Sequence, residues 1–215
     1  MPESDPTVLV IDDDLEFRNS VGRLLRSVGL DARLFASVQD FLKSERPSGP
    51  TCLVLDVRLP GPSGLNFQRE LVASDVRIPI IFITGYGDVP MSVQAMKLGA
   101  IEFLTKPFRD QDLIDAIHVG LARDRSERES EKALCVLRAR FESLTPRERE
   151  IMFHVLQGRL GRQIADDIGI SEPTVKVHRS NLMRKMNVRS LVELGRIAGK
   201  LNLLPETTDK AIQRG

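Results

Sequence analysis

Long hydrophobic runs are missing from this 215-residue chain: no apolar stretch reaches the roughly 18 residues needed to cross a bilayer. Residues 1–5, Met-Pro-Glu-Ser-Asp, contain no basic cluster leading into an apolar segment, which argues against a secretory leader. Cysteine is scarce. Cys52 and Cys135 stand far apart with no CxxC or CxxH spacing beside either, which excludes a disulfide framework and a cysteine-based zinc site. These absences predict a cytoplasmic protein with no membrane partner. An excess of one charge is also lacking, since 31 Lys and Arg face 30 Asp and Glu.

What remains is ordinary globular material, 41% apolar and 28% charged, in a length that suits two domains better than one. Its charge is segregated. Residues 1–123 carry 13 basic and 17 acidic side chains, whereas residues 144–200 carry 11 basic and 6 acidic. An acidic front and a basic rear suit a sensing site joined to a nucleic-acid reader.

Four stretches dominate the front half. Residues 51–60 form an apolar run that stops at one carboxylate, Asp56, and is followed by Pro60, Gly61, Pro62 and Gly64. Such a short bounded run reads as a strand buried on both faces, with Asp56 at the edge where open parallel sheets bind ligands. Residues 8–13 end in Asp12 and Asp13, residues 80–84 in Thr84, and residues 101–107 in Lys106 and Pro107. Gathered at one edge, three carboxylates resist ionising together unless a cation joins them, and hard oxygen ligands suit Mg²⁺. Each residue has a plainer reading alone: Asp12, Asp13 and Asp14 as helix-capping acids, Thr84 as a backbone-bonded hydroxyl, Lys106 as a solvated charge. All four at strand ends favour a site, with Asp14 alone keeping the capping role.

This constellation resembles the receiver domain of bacterial two-component response regulators, over residues 7–122. The resemblance implies that Asp56 accepts a phosphoryl group from the histidine of a sensor kinase. It implies that Asp12, Asp13 and Asp56 hold Mg²⁺ together with the backbone carbonyl of Arg58. Thr84 would bond a phosphoryl oxygen, Lys106 would pair with the phosphate, and Thr84 and Phe103 would form the switch. Phe103 lacks the hydroxyl of the tyrosine found there in many receivers. In the family the bond before this proline is usually cis.

Strand and helix signals alternate through residues 7–121, predicting a flavodoxin-like α/β fold around a five-stranded parallel sheet. The first helix carries Phe17, Val21, Leu24, Leu25 and Val28 on one side, and Gly29 closes it. The last is capped by Asp110 and turns Leu113, Ile114, Ile117 and Leu121 inward. Gly85, Tyr86 and Gly87 read as a flexible turn. Residues 122–142 lack glycine and proline and interleave charges, which predicts a solvated helix continuing from the receiver. Its stripe of Leu134, Leu137, Phe141 and Leu144 is expected to pack on the following domain rather than zip two chains together.

The rear half opens with a helix-start signature: Thr145 at the cap, Pro146 at the first helical position and Glu148 placed to bond back. A short helix ending at Gly169 and a longer one capped by Ser171 make a helix-turn-helix, and a fourth helix spans about 190–201. Between Lys176 and Arg189 stand five basic residues and no acid. Val175, Leu182 and Met186 share the inward side, and Lys176, Val177, Ser180 and Arg184 the other. A basic helix is usually just a solvated surface, but here it follows a capped turn and a scaffold helix. The stretch from Leu144 to Lys200 resembles the LuxR/NarL/FixJ effector domain, with Arg159 where the family has an apolar residue and Gly161 where asparagine is common. The resemblance implies a four-helix DNA-binding domain dimerising through its last helix. The expected DNA contacts are Thr174, Lys176, Val177, Arg179, Ser180, Arg184 and Lys185.

The expected organisation is a receiver at 1–121, a helical linker at 122–143, an all-α helix-turn-helix domain at 144–203 and a flexible tail at 204–215. The expected function is that of a transcription regulator rather than an enzyme, beyond assisting its own phosphoryl transfer. Phosphorylation of Asp56 would control dimerisation and sequence-specific binding to promoter DNA. The implied partners are a sensor histidine kinase, DNA, a second copy and RNA polymerase. One alternative is a DNA-binding regulator that needs no phosphorylation. Another is an aspartate-based phosphohydrolase, which would want a second acid where Arg58 stands.

Overall fold

The computed structural model describes residues 5–85 and 89–203. Tyr86, Gly87 and the tail at 204–215, for which a flexible turn and a flexible end are expected, lie outside the described residues. The chain divides into two compact units, one up to Glu129 and one from Ser130 onward.

In the first unit five strands, β1 (Thr7–Ile11), β2 (Asp31–Phe35), β3 (Thr51–Asp56), β4 (Ile80–Thr84) and β5 (Glu102–Thr105), alternate with α1 (Leu15–Ser27), α2 (Val38–Lys43), α3 (Gly64–Ala73), α4 (Val89–Lys97) and α5 (Asp110–Glu142). The sheet is parallel in the order β2-β1-β3-β4-β5, the flavodoxin-like arrangement with its reversal of strand order between β1 and β3.

Alternation along the strands splits the core into two layers. Leu9, Ile11, Leu53, Leu55 and Phe82 face Val38, Phe41, Phe67, Leu71 and Ala95 of α2, α3 and α4. Val8, Val10, Cys52, Val54, Ile81 and Ile83 face Val21 and Leu25 of α1 and Leu113 and Ile117 of α5. Helices on both sides explain why β1, β3 and β4 read as unbroken apolar runs. Each fully buried Leu, Ile or Phe contributes roughly 1.5–3 kcal/mol. Burial, with the charge of Asp124, pushes the Cys52 thiol up to about 12, so Cys52 behaves as a small hydrophobe.

Three details depart from expectation. Val28 is exposed at the C-cap of α1, beyond the apolar stripe. Asp110 is the first residue of α5 rather than its cap. The helix then runs unbroken from Asp110 to Glu142, and one acid in its expected solvated part, Asp124, is buried.

The second unit packs α6 (Pro146–Leu156), α7 (Gly161–Ile168), α8 (Glu172–Met186) and α9 (Leu191–Lys200) around Ile151, Met152, Ile164, Val175, Leu182, Met186 and Leu194. Leu144 and Phe141 join this core, while Leu134 and Leu137 are half-buried. The capping box forms as expected, with Thr145 Oγ1 accepting from Glu148 N and Glu148 Oε2 from Thr145 N. Gly169 ends α7 at φ +69°, a left-handed turn that a side chain rarely adopts, and Ser171 caps α8.

Candidate acidic site and nucleic-acid interface

Strand pairing places the site. Ile11 of β1 pairs with Leu55 of β3, Asp56 with Ile83 of β4, and Thr84 with Thr105 of β5. Asp12, Asp56, Thr84 and Lys106 therefore reach the same C-terminal edge although they are scattered along the chain. Asp12 and Thr84 are fully buried, Asp56 nearly so, and Asp13 is exposed. Carboxylate oxygens of Asp12, Asp13 and Asp56 all lie within 4.8 Å of one another. Among the described residues no other group of acids, histidines and cysteines gathers in this way.

Two of the carboxylates are oriented by the backbone two residues further on. Asp12 Oδ1 accepts from Asp14 N and Asp56 Oδ1 from Arg58 N, both at 2.9 Å. The other oxygens share one cation: Lys106 Nζ donates to Asp12 Oδ2 at 2.6 Å and to Asp56 Oδ2 at 3.1 Å. The peptide bond between Lys106 and Pro107 is cis, and Lys106 N donates to the carbonyl of Thr84 at 2.8 Å. Gly64 fits beneath the site because a Cβ there would lie 2.3 Å from the carbonyl oxygen of Asp56.

The electrostatics are unbalanced. Burial pushes the Asp12 carboxyl above its ordinary value, and hydrogen bonds from Lys106 and from the Asp14 N–H offset only part of that. Burial would lower Lys106, but Asp12 and Asp56 outweigh it and hold the ammonium above its ordinary range. Three acids thus face one ammonium. The hard oxygen set and surplus negative charge fit a divalent cation such as Mg²⁺.

Phe103 is half-buried on β5 and packs on the core with its ring 6.2 Å from Phe82. Asp14 caps α1, accepting from Glu16 N and Phe17 N.

On the second unit, α8 turns Val175, Leu182 and Met186 into the core. Lys176, Val177, Ser180 and Arg184 are exposed, Val177 at 60%, and Arg179 and Thr174 are half-buried. Thr174 Oγ1 lies 2.7 Å from Ser171 Oγ at the cap. Lys185, expected among the DNA contacts, is half-buried. Its Nζ bonds Glu148 Oε2 at 2.7 Å and the carbonyl of Ser143 at 3.2 Å. One helical turn from the buried Leu182, its charge faces α6 instead of solvent.

Comparison with known proteins assigns each unit to a family. Residues 8–118 match the response regulator receiver domain, and residues 142–206 match the bacterial regulatory proteins of the luxR family. The chain belongs to the response regulators. Nodulation protein W of Bradyrhizobium diazoefficiens is 47% identical over 94% of the chain and 89% of its own length. Transcriptional regulatory protein FixJ of Azorhizobium caulinodans is 44% identical over 92% of the chain and 93% of its own. The solved structure of response regulator StyR covers 92% of the chain and 100% of its own, with TM-score 0.84 and 47% identity. This response regulator is a two-component regulator of transcription with a receiver and a LuxR-type DNA-binding domain.

Three groups of the response regulator had no signal in the motifs. Phe17 lies over Lys106, its ring centroid 3.7 Å from Nζ, but in sequence it is one apolar residue among several on α1. Arg18 Nη1 donates to the carbonyl of Asp12 at 2.5 Å. Far from the acids, buried Asp124 accepts from Thr51 N at 2.8 Å and from Arg128 Nε at 2.6 Å, joining α5 to the start of β3. The four-residue spacing of Asp124 and Arg128 was visible, but it suits a solvated helix equally well.

Proposed function

We propose that Asp56 is the phosphoacceptor and that its phosphorylation by a sensor histidine kinase controls dimerisation and binding to promoter DNA. A carboxylate oxygen of Asp56 attacks phosphorus, the O–P bond forms, and the N–P bond to the donor histidine breaks as its imidazole takes up a proton. Asp12, Asp13 and Asp56, with the backbone carbonyl of Arg58, would hold Mg²⁺, which would offset charge on the transferred group. Lys106 pairs with the new phosphate, Thr84 donates to it, and Phe103 follows Thr84 inward, shifting a population between two states.

The reading extends to the whole chain. The receiver occupies 1–121, the linker 122–143 and the DNA-binding domain 144–203. Lys176, Val177, Arg179, Ser180, Arg184 and Thr174 approach the duplex, and the dimer recruits RNA polymerase in the cytoplasm. Turnover of other phosphoesters is not expected, because Arg58 stands where a phosphohydrolase needs its second acid.

The observation that carries this reading is the convergence of three carboxylates within 4.8 Å under a lysine that bridges two of them. Incubation with Mg²⁺ and acetyl phosphate should add one phosphoryl group to Asp56, located by mass spectrometry, and should tighten binding to promoter fragments. Asp56→Asn should abolish both effects. Equal promoter affinity in Asp56→Asn and in phosphodonor-treated wild type would instead establish a regulator that needs no phosphorylation.

A further inference from the structure

The surroundings of the Lys106 ammonium are accounted for on three sides. Asp12 Oδ2 and Asp56 Oδ2 accept from it at 2.6 and 3.1 Å. The ring of Phe17 also lies against it, with its centroid 3.7 Å from Nζ. Phe17 is held through both its backbone and its ring. Phe17 N donates to the capping carboxylate of Asp14 at 3.1 Å, and Phe108 packs edge-on against the ring, with centroids 6.1 Å apart and an interplanar angle of 85°. Both aromatic rings pack on the apolar layer beneath α1 and α5.

An aromatic face attracts a cation through its quadrupole, yet it accepts no strong hydrogen bond and takes no proton. Water in the same place would compete for the ammonium and draw it outward. The ring therefore attracts the charge and leaves its strong donors to the acids. We infer that Phe17 is a positioning residue for phosphoryl transfer, holding the Lys106 ammonium against Asp56 by contact with its ring face. The inference rests on Asp56 being the acceptor. It assigns to α1 a part in the chemistry beyond capping and core packing. Leucine at this position would keep the apolar volume but lose the quadrupole, and Lys106, whose side chain is 22% exposed, would share its donors with solvent.

The test uses the full chain with Mg²⁺ and acetyl phosphate, following the initial rate of Asp56 phosphorylation against donor concentration. Phe17→Leu should lower the maximal rate by about 5–10-fold, with little change in half-saturating donor, while Phe17→Tyr should stay within about twofold of wild type. Added to Lys106→Ala, Phe17→Leu should have no further effect on the residual rate. Should Phe17→Leu not fold, Phe17→Met is the aliphatic comparison. A wild-type rate in the aliphatic variant, an equal loss in Phe17→Tyr, or an undiminished loss in the Lys106→Ala background would each overturn the role given to Phe17. If wild type takes up no phosphoryl group on Asp56, the assignment of the acceptor fails as well. Normal labelling of wild type with an unaffected aliphatic variant removes only the role of Phe17.

Discussion

Lys185 Nζ lies 2.7 Å from the carboxylate of Glu148, a side chain almost wholly inside the second unit. The same oxygen, Oε2, accepts from Thr145 N at 2.8 Å, so a single atom caps α6 and anchors the end of α8.

This arrangement makes the second unit sensitive to acid. Burial alone would raise Glu148, but Lys185 and Thr145 outweigh it and hold the carboxyl below its ordinary 4.5. A group depressed by folding stabilises the native state above its unfolded value, and that stabilisation is lost as the pH falls through the folded one. Glu148→Gln should cost about 2 kcal/mol at pH 7, and its deficit relative to wild type should shrink steadily below about pH 4.5. Urea denaturation across that range checks it; a deficit independent of pH would refute the assignment.

The same contact separates Lys185 from its basic neighbours in DNA binding. Arg184→Ala and Lys176→Ala should each weaken binding and reduce the slope of log affinity against log salt by about one where they meet a phosphate. Lys185→Met should leave that slope unchanged. Titration of duplex DNA at several salt concentrations, by fluorescence anisotropy, distinguishes the two classes.

Gly120 of α5 packs directly against Cys52 of β3. A Cβ on residue 120 would fall 2.6 Å from Cys52 Sγ. Gly120→Ala should therefore destabilise the receiver by about 1–3 kcal/mol through overpacking, despite the helix propensity it adds. Combining it with Cys52→Ala should cost less than the two single changes summed, because the second vacates the space the first requires. Simple additivity in chemical denaturation would show that the contact relaxes by other means.

Asp124 has a structural part only. Removing its carboxylate in Asp124→Ala leaves Thr51 N without that acceptor and Arg128 without its close partner, and should cost about 2–4 kcal/mol. Amide hydrogen exchange at Thr51 should accelerate more than exchange at Leu55. Unchanged protection at Thr51 would contradict the role.

The sequence made the acidic site legible because short apolar runs end abruptly in polar residues. Asp12, Asp56, Thr84 and Lys106 stand out against apolar runs, and parallel strands must bring such ends together. Phe17 and Arg18 were not legible. An aromatic on the inner stripe of a helix looks the same whether it packs on a leucine or on an ammonium. Asp124 was missed for a related reason: a charged, glycine-free helix gives no sign of which turn lies against the sheet. Lys185 was counted among the expected DNA contacts by its charge, and its three-residue offset from Leu182 is what leans it toward α6.

The pairing of Ile11 with Leu55 has a consequence for how the carboxylates tolerate change. Their side chains repel, so nothing in their mutual chemistry keeps them level; the ladder of amide groups between β1 and β3 does. Deleting a single residue within that third strand would shift the frame by one pleat, bring Val57 to the rim and turn every following side chain to the opposite face. The geometry of the acidic cluster is in this sense a property of counting along the backbone, and it tolerates substitution nearby far better than a change in length.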